Sequence, residues 1–323
     1  MNDTGSVARA NVLLASGHTA QAIETIETAA AAGDPDASFT LAVWLLAGNP
    51  LPRDLARARI VLRRCVEMGH ADAALMEVAL VATGSGGPSD WRAAHGLLEA
   101  VAGDPVAANQ LALLALMDLD EDGRPTRVPV GERLSESPDV VRFPGLLSPA
   151  ECQYVAMTAQ DVLEPAVVID PRTGKMVSHP IRTSLGAVIG PARENLVVRA
   201  INARLAAVSN TAIEQGEPLA VLRYAPGQQY RAHLDSIDNA PNQRIKTVLV
   251  YLNEGFRGGE TRFTANGLNV SPRGGDAILF SNALADGSPD RRSEHAGLPV
   301  IQGVKWLATR WIRQRPYNPW NPG

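Results

Sequence analysis

Two histidines and one aspartate, His233, Asp235 and His295, with Lys305 ten residues beyond the second histidine, are the residues of this 323-residue chain best suited to chemistry. Two imidazoles and one carboxylate can cover one face of an octahedral Fe(II), leaving three positions for a chelating co-substrate and O₂. A lysine shortly after the distal histidine can pair with a distant carboxylate on that co-substrate. The pattern points to a non-haem iron oxygenase that uses 2-oxoglutarate. Each residue has a plainer reading. A lone buried histidine is usually a satisfied core residue, and an aspartate two positions later is common in turns. The second histidine and the lysine at suitable spacing weigh against that reading. Lys305 alone could be a surface residue. In the alternating run Lys305–Arg313 it shares a face with Leu307, Thr309, Trp311 and Arg313, opposite Trp306, which points it inward, and a buried ammonium needs an anion.

The elements that must position these residues read as strands. Leu219–Tyr224 is apolar and extended, and Ala225-Pro226-Gly227-Gln228 is a turn signal leading into Tyr230 and the first histidine. Residues 247–252 form a nearly continuous apolar run, as in a strand buried on both faces. Glycine-led strands are expected at 258–263 and 274–280. Several short strands with turns between them imply a sandwich or jelly roll, with metal ligands drawn from separate strands at its mouth. Upstream, 140–147 reads as a short strand, and Ser148-Pro149-Ala150-Glu151 has the N-cap, proline and N3 glutamate of a helix start.

The first third is a different kind of sequence, rich in alanine and leucine and punctuated by glycine. Gly17, Gly48 and Gly84 close one set of apolar-periodic stretches, and Gly33, Gly69 and Gly103, at intervals of 36 and 34 residues, close the next. After the latter three come Asp34-Pro35-Asp36-Ala37, His70-Ala71-Asp72-Ala73 and Asp104-Pro105-Val106-Ala107. Glycine after a helix favours the left-handed conformation, and proline suits the first turn of the next helix. A repeated helix–turn–helix unit of solenoid type is expected, with Ala37, Leu41, Ala42 and Leu45, then Ala56, Ile60, Cys65 and Val66, at the packed faces. The array resembles the Sel1-like branch of the tetratricopeptide repeats; an ordinary helical bundle is the alternative. Such repeats present a surface to a partner or a second protomer. His18, His70 and His95 read as structural or exposed.

The expected organisation is α+β multidomain: an α-solenoid over 1–118, a linker over 119–138, acidic and then rich in proline and arginine, and a catalytic domain over 139–323. A formal charge of −4 gives no electrostatic case for nucleic acid or an anionic membrane surface. Cys65 and Cys152 form no metal motif, and a reducing, cytoplasmic setting suits them better than a disulfide framework. Neither a signal peptide nor a bilayer-spanning run is expected.

Within the second half the motifs run in a recognisable order: Arg182-Thr183-Ser184; Arg223-Tyr224-Ala225-Pro226-Gly227-Gln228-Gln229-Tyr230; His233-Leu234-Asp235; Arg244; Thr247-Val248-Leu249-Val250-Tyr251-Leu252-Asn253; Gly258-Gly259-Glu260-Thr261; Gly275-Asp276-Ala277-Ile278-Leu279-Phe280; His295-Ala296-Gly297; and Gly303-Val304-Lys305-Trp306. The stretch 146–313 resembles the prolyl 4-hydroxylase group of Fe(II)/2-oxoglutarate dioxygenases. The resemblance implies a double-stranded β-helix (jelly roll) with flanking helices. It implies Fe(II) held by His233, Asp235 and His295, with 2-oxoglutarate and O₂ as co-substrates and ascorbate as an accessory reductant. It also implies that Lys305 meets the C5 carboxylate of 2-oxoglutarate, with Thr261 and Tyr224 as hydrogen-bond donors; Tyr224 could instead be a core aromatic. Related halogenases lose the carboxylate ligand to make room for chloride, so Asp235 points to hydroxylation. Arg244, Trp311, Tyr230 and Glu217 are implied around the substrate, while an Arg244–Glu217 structural ion pair stays equally open. Arg182-Thr183-Ser184 falls where the group covers its substrate. Ser236-Ile237-Asp238-Asn239-Ala240-Pro241 departs from the group's usual aromatic pair after the iron aspartate, at the border of the substrate channel.

Three functions fit these residues. The first is a hydroxylase of a prolyl residue in a peptide or protein, with the repeats recruiting it or pairing protomers. The second is a hydroxylase of a free amino acid or carrier-bound small molecule. The third is a non-catalytic repeat scaffold with a relic barrel.

Overall fold

A computed structural model describes residues 5–169, 176–178 and 181–321. By internal contacts the chain divides into two compact units, residues 1–123 with 191–199, and residues 124–190 with 200–323.

The first unit holds α1 (Ser6–Ala15), α2 (Thr19–Ala31), α3 (Pro35–Ala47), α4 (Leu55–Glu67), α5 (Ala71–Thr83), α6 (Trp91–Ala100) and α7 (Pro105–Leu114), each packed on the next. The repeat is written in its caps. Asp34, Asp54, Asp90 and Asp104 each accept from backbone N–H groups of the first turn that follows, and His70 does the same through Nδ1. Gly17, Gly33, Gly48, Gly69 and Gly84 take positive φ as expected, but Gly103 does not. Tight turns end α6 instead: Val101, Ala102 and Asp104 each donate to a carbonyl three residues back. Ala37, Leu41, Ala42 and Leu45 are buried as expected. In α4 Cys65 is buried as expected, but the rest of the stripe is displaced: Ala56 is exposed, Ile60 is 54% exposed, and Ala58, Val61 and Leu62 join Cys65 on the buried face. Helix α4 is arginine-rich, and Arg59 buries its guanidinium against Glu77, so apolarity alone misjudges its face. Asp34 takes two backbone amides and the Ser6 hydroxyl, at 2.5 Å. Replacing it with alanine is expected to cost about 1–2 kcal/mol, read as a lower urea midpoint.

The second unit is built from β1 (Glu132–Glu136), β2 (Asp139–Phe143), α8 (Pro149–Gln160), β3 (Glu164–Pro165), β4 (Val167–Ile169), β5 (Met176–Ser178) and β6 (Leu185–Ile189). Helix α9 (Leu196–Ser209), of which residues 200–209 belong to this unit, follows, then β7 (Leu219–Tyr224), β8 (Tyr230–His233), β9 (Arg244–Tyr251), β10 (Arg257–Gly258), β11 (Thr261–Phe263) and β12 (Asn269–Val270). The chain ends with β13 (Ala277–Ser281), β14 (His295–Gly297), β15 (Val300–Gln302) and β16 (Lys305–Arg313). The Ser148/Glu151 capping box forms at the start of α8. Strand β1 lies inside the segment 119–138, paired antiparallel with β2; its polar composition, Glu-Arg-Leu-Ser-Glu, carries no strand signal.

An eight-stranded sheet runs β1-β2-β13-β9-β16-β7-β6-β3 and a four-stranded sheet runs β12-β11-β14-β8. Leu222, Leu249, Phe280 and Leu307 from the larger sheet share one core with Phe263 and Val270 from the smaller. This is the jelly roll expected from the short, turn-separated strands. Its interior face is set by alternation: Thr247, Leu249 and Tyr251 on β9 and Lys305, Leu307 and Thr309 on β16 are all buried.

Candidate metal centre and co-substrate pocket

His233 ends β8, His295 opens β14, and the two stand opposite each other in the ladder. Asp235 lies two residues past β8. One ligand atom from each of the three falls within 4.8 Å of the others, the one such His/Cys/Asp/Glu cluster among the described residues. His233 Nε2 is 3.6 Å from Asp235 Oδ1, and His295 Nε2 is 3.9 Å from Asp235 Oδ2. Both separations exceed a hydrogen bond and suit atoms that share one cation.

The tautomers agree. Nδ1 of His233 meets the Arg231 carbonyl at 2.8 Å and Nδ1 of His295 meets the Ser293 carbonyl at 3.0 Å. A carbonyl can only accept, so each Nδ1 carries a proton, which turns each Nε2 toward the carboxylate as the atom available to a cation. Tyr230 stacks on His233 with centroids 3.5 Å apart, and Phe280 meets His295 edge-on at 4.7 Å. Both rings are thereby fixed. Burial, reinforced by the nearby His295, pushes the His233 pKa down to about 4, so it stays neutral at pH 7. Asp235 is fully buried, which disfavours its anion, yet the two imidazoles and the Thr247 hydroxyl, 2.6 Å away, hold its pKa below the ordinary value. Two neutral imidazoles and an ionised carboxylate are the donor set that Fe(II) requires.

Lys305 opens β16 opposite Tyr224 of β7 and is 2% exposed. Its Nζ donates to the Gly259 carbonyl at 2.6 Å and faces the rings of Tyr251 at 4.7 Å and Tyr224 at 5.4 Å. Burial drives its pKa down to about 7, with Glu260 offsetting part of the shift. A buried ammonium held by one carbonyl and two ring faces is poised for an incoming carboxylate. The glycine pair before Thr261 is required for this approach. A Cβ on Gly259, at φ +72°, would stand 3.1 Å from Lys305 Cδ, and one on Gly258 would meet the Pro299 oxygen at 2.4 Å.

Thr261 lines the same cavity as Lys305, and its hydroxyl shares a 2.5 Å hydrogen bond with the Tyr251 phenol. Burial pushes the phenols of Tyr224 and Tyr251 up, so both remain hydrogen-bond donors. Tyr224, Thr261, Lys305 and the three candidate ligands line one cavity, with Leu222, Leu249 and Leu307 as its apolar wall. Trp311 and Tyr230 line it too.

Glu217 and Arg244 form a two-pronged ion pair, at 2.6 and 2.8 Å, and Arg313 adds a third bond to Glu217 at 2.5 Å. Arg244 lies over the Trp311 ring at 4.1 Å and donates to the Asp235 carbonyl at 3.4 Å. The structure therefore forms the Arg244–Glu217 pair and sets it against the backbone of the candidate iron aspartate. Arg182-Thr183-Ser184 runs antiparallel beside β8: Arg182 bridges Tyr230, the Thr183 amide donates to the Gln229 carbonyl, and the Gln229 amide donates to the Thr183 hydroxyl. In the divergent loop after Asp235, the Gln243 side chain bonds the Ile237 amide and carbonyl at 2.8 and 2.7 Å.

Sequence reasoning did not single out Tyr251, Thr247, Asn282 or Arg313. Read as buried on both faces, 247–252 offered no face to choose. The alternation from Thr247 through Leu249 to Tyr251 would have placed both polar residues on the interior face.

Residues 219–313 match the profile of the 2OG-Fe(II) oxygenase superfamily. The chain is 37% identical over 203 residues to Prolyl 4-hydroxylase 1 of Arabidopsis thaliana, covering 57% of this chain and 72% of that protein. It is 35% identical over 217 residues to Probable prolyl 4-hydroxylase 7 of the same plant, covering 60% and 67%. The chain belongs to the 2OG-Fe(II) oxygenase superfamily and, within it, to the prolyl 4-hydroxylase-like group. It is a 2-oxoglutarate-dependent dioxygenase, with Fe(II) as cofactor and 2-oxoglutarate and O₂ as co-substrates. Among solved structures, the viral collagen prolyl hydroxylase of Paramecium Bursaria Chlorella virus-1, in its 2OG complex, is 29% identical over 54% of this chain and 95% of that chain, with a TM-score of 0.44. A Sel1 repeat protein from Oxalobacter formigenes is 33% identical over 30% of this chain and 29% of that chain, with a TM-score of 0.28.

Proposed function

We propose that this enzyme hydroxylates a prolyl residue in a peptide or protein substrate, coupled to decarboxylation of 2-oxoglutarate to succinate and CO₂. The observation that carries the oxygenase chemistry is the convergence of His233, Asp235 and His295 in one cavity with buried Lys305. The prolyl assignment is supported by relatives bearing that name. His233 and His295 through Nε2, and Asp235 through its carboxylate, would hold Fe(II), which when bound supplies the activation of O₂. Lys305, helped by Tyr251, Thr261 and Tyr224, takes the C5 carboxylate and so fixes the depth of the co-substrate. Leu222, Leu249 and Leu307 exclude water along its length. Trp311 and Tyr230, with the Arg244–Glu217 pair behind Trp311, would form the wall against which the substrate lies. Ascorbate is the accessory reductant.

The domain boundaries belong to the same reading: a helical repeat domain over 1–118, a connecting segment over 119–138 and the oxygenase over 139–323. The repeats recruit a partner or a second protomer, and the partners include no nucleic acid. No described helix is long and apolar enough to cross a membrane. The two buried free cysteines support a reducing, cytoplasmic setting. Incubation with Fe(II), 2-oxoglutarate and a panel of proline-containing peptides is expected to add one oxygen to a prolyl residue with matching succinate. Turnover of free amino acids or carrier-bound small molecules alone would overturn the prolyl assignment.

The Lys305 environment makes co-substrate binding pH-dependent. Below about pH 7 the ammonium is already present to meet a carboxylate; above it, binding must take up a proton. The apparent affinity for 2-oxoglutarate is expected to fall roughly tenfold per pH unit above neutrality, until the higher pKa of the complex is reached. Calorimetry in two buffers of different ionisation enthalpy would read the proton uptake directly. A flat profile from pH 7 to 9, with no uptake, would place the C5 carboxylate elsewhere.

A further inference from the structure

Asp235 is gripped through one of its two oxygens by a chain of buried side chains. Oδ2 accepts the Thr247 hydroxyl at 2.6 Å, and the Thr247 oxygen in turn accepts from the Asn282 amide at 2.8 Å. A hydroxyl has one proton. With the Asn282 amide donating to the oxygen, that proton is directed to the carboxylate. Thr247 and Asn282 are both 0% exposed, so water does not compete for either bond. The backbone anchors both residues. Thr247 pairs with Phe280 on one side and Trp311 on the other, in the middle of the large sheet. Asn282 donates its amide N–H to the Ile245 carbonyl at 2.8 Å and accepts from the Asp290 amide at 2.9 Å.

The coordination count gives this relay a purpose. Two imidazoles and one carboxylate oxygen take three places on an octahedral cation, a chelating keto acid takes two, and O₂ needs the last. A carboxylate free to turn can bind a cation through both oxygens, and doing so here would close a place the reaction needs. We propose that Thr247, oriented by Asn282, is a positioning residue that holds Asp235 to one-oxygen coordination. The inference rests on reading His233, Asp235 and His295 as the metal ligands.

The test is titration of the metal-free full-length protein with Co(II), following both affinity and the ligand-field spectrum. The wild type is expected to bind one equivalent. Thr247→Val, which keeps the shape and removes the hydroxyl, is expected to weaken Co(II) binding by roughly 10- to 100-fold and to change the spectrum, whereas Thr247→Ser restores both. Asn282→Asp draws the Thr247 proton away from Asp235 and is expected to reproduce the Thr247→Val spectrum. Combining the two changes then adds little further loss, because both act through the same proton. If Thr247→Val does not fold by circular dichroism, Asn282→Asp measured against Thr247→Ser carries the same comparison. Wild-type affinity and spectrum in the folded variants would overturn the relay and leave the ligand assignment standing. Failure of the wild type itself to bind Co(II) would overturn the ligand assignment, and the relay with it.

Discussion

Replacing Asp235 by alanine is expected to lower succinate formation at least about a thousandfold, with or without a peptide substrate. The carboxylate supplies the one formal negative charge among the three candidate ligands, and its loss leaves only the two imidazoles to face a divalent ion. A Lewis-acid site contributes several kcal/mol to the reaction it serves, and about 4 kcal/mol corresponds to that factor. The change is expected to cost the metal-free protein only about 1–3 kcal/mol, chiefly by leaving the buried Thr247 hydroxyl without its acceptor. Thermal unfolding without metal should therefore stay cooperative and shift by only a few degrees while turnover collapses. A variant that both melts early and loses turnover would show instead that Asp235 chiefly holds the fold.

Replacing Lys305 by methionine, close in length and uncharged, is expected to raise the KM for 2-oxoglutarate by two to three orders of magnitude. Breaking a buried charge pair by removing one partner costs roughly 3–5 kcal/mol, because the carboxylate left behind stays desolvated. The effect should fall on KM more than on kcat, since Lys305 grips the end of the co-substrate remote from the reacting atoms. Tyr251 and Thr261 remain in place to share the carboxylate. Steady-state kinetics at saturating and limiting 2-oxoglutarate separate the two parameters. A Lys305→Met variant with wild-type KM would remove Lys305 from the binding pocket and leave it as a buried structural cation.

The candidate site is largely legible in the sequence because its residues cluster at the ends of strands. His233, Asp235, His295 and Lys305 are of chemically unusual type for β-rich, apolar surroundings, and their order along the chain constrains how they can meet. The supporting residues were not legible, and the reason is physical. Thr247 and Tyr251 occupy strand positions that suit threonine and tyrosine on packing grounds alone. Asn282 sits just past β13, beyond the end of the strand expected at 274–280. Their roles depend on which face of β9 looks inward, a property of sheet pairing that a doubly apolar run does not betray. Arg244 and Glu217 show the opposite case: two readings were open, and only the fold, which brings Arg313 to the same carboxylate, shows the pair formed.

The helical unit divides in the same way. Its caps were visible because Asp34, Asp54, Asp90 and Asp104 do a local task that residue type alone announces. The buried face of α4 was not, because Arg59 turns inward toward Glu77 and shifts the stripe away from Ile60. Strand β1 escaped notice because its partner β2, and not its own polar composition, makes it a strand.

The most direct measurement is an anaerobic titration of the metal-free enzyme with Fe(II) and then 2-oxoglutarate, followed by visible absorption. Chelation of a keto acid to protein-bound Fe(II) produces a charge-transfer band. The band should reach full intensity at one equivalent of iron in the wild type and be lost in His295→Ala. An enzyme that shows no band, or a His295→Ala variant that develops it in full, would contradict the placement of iron and 2-oxoglutarate at His233, Asp235 and His295.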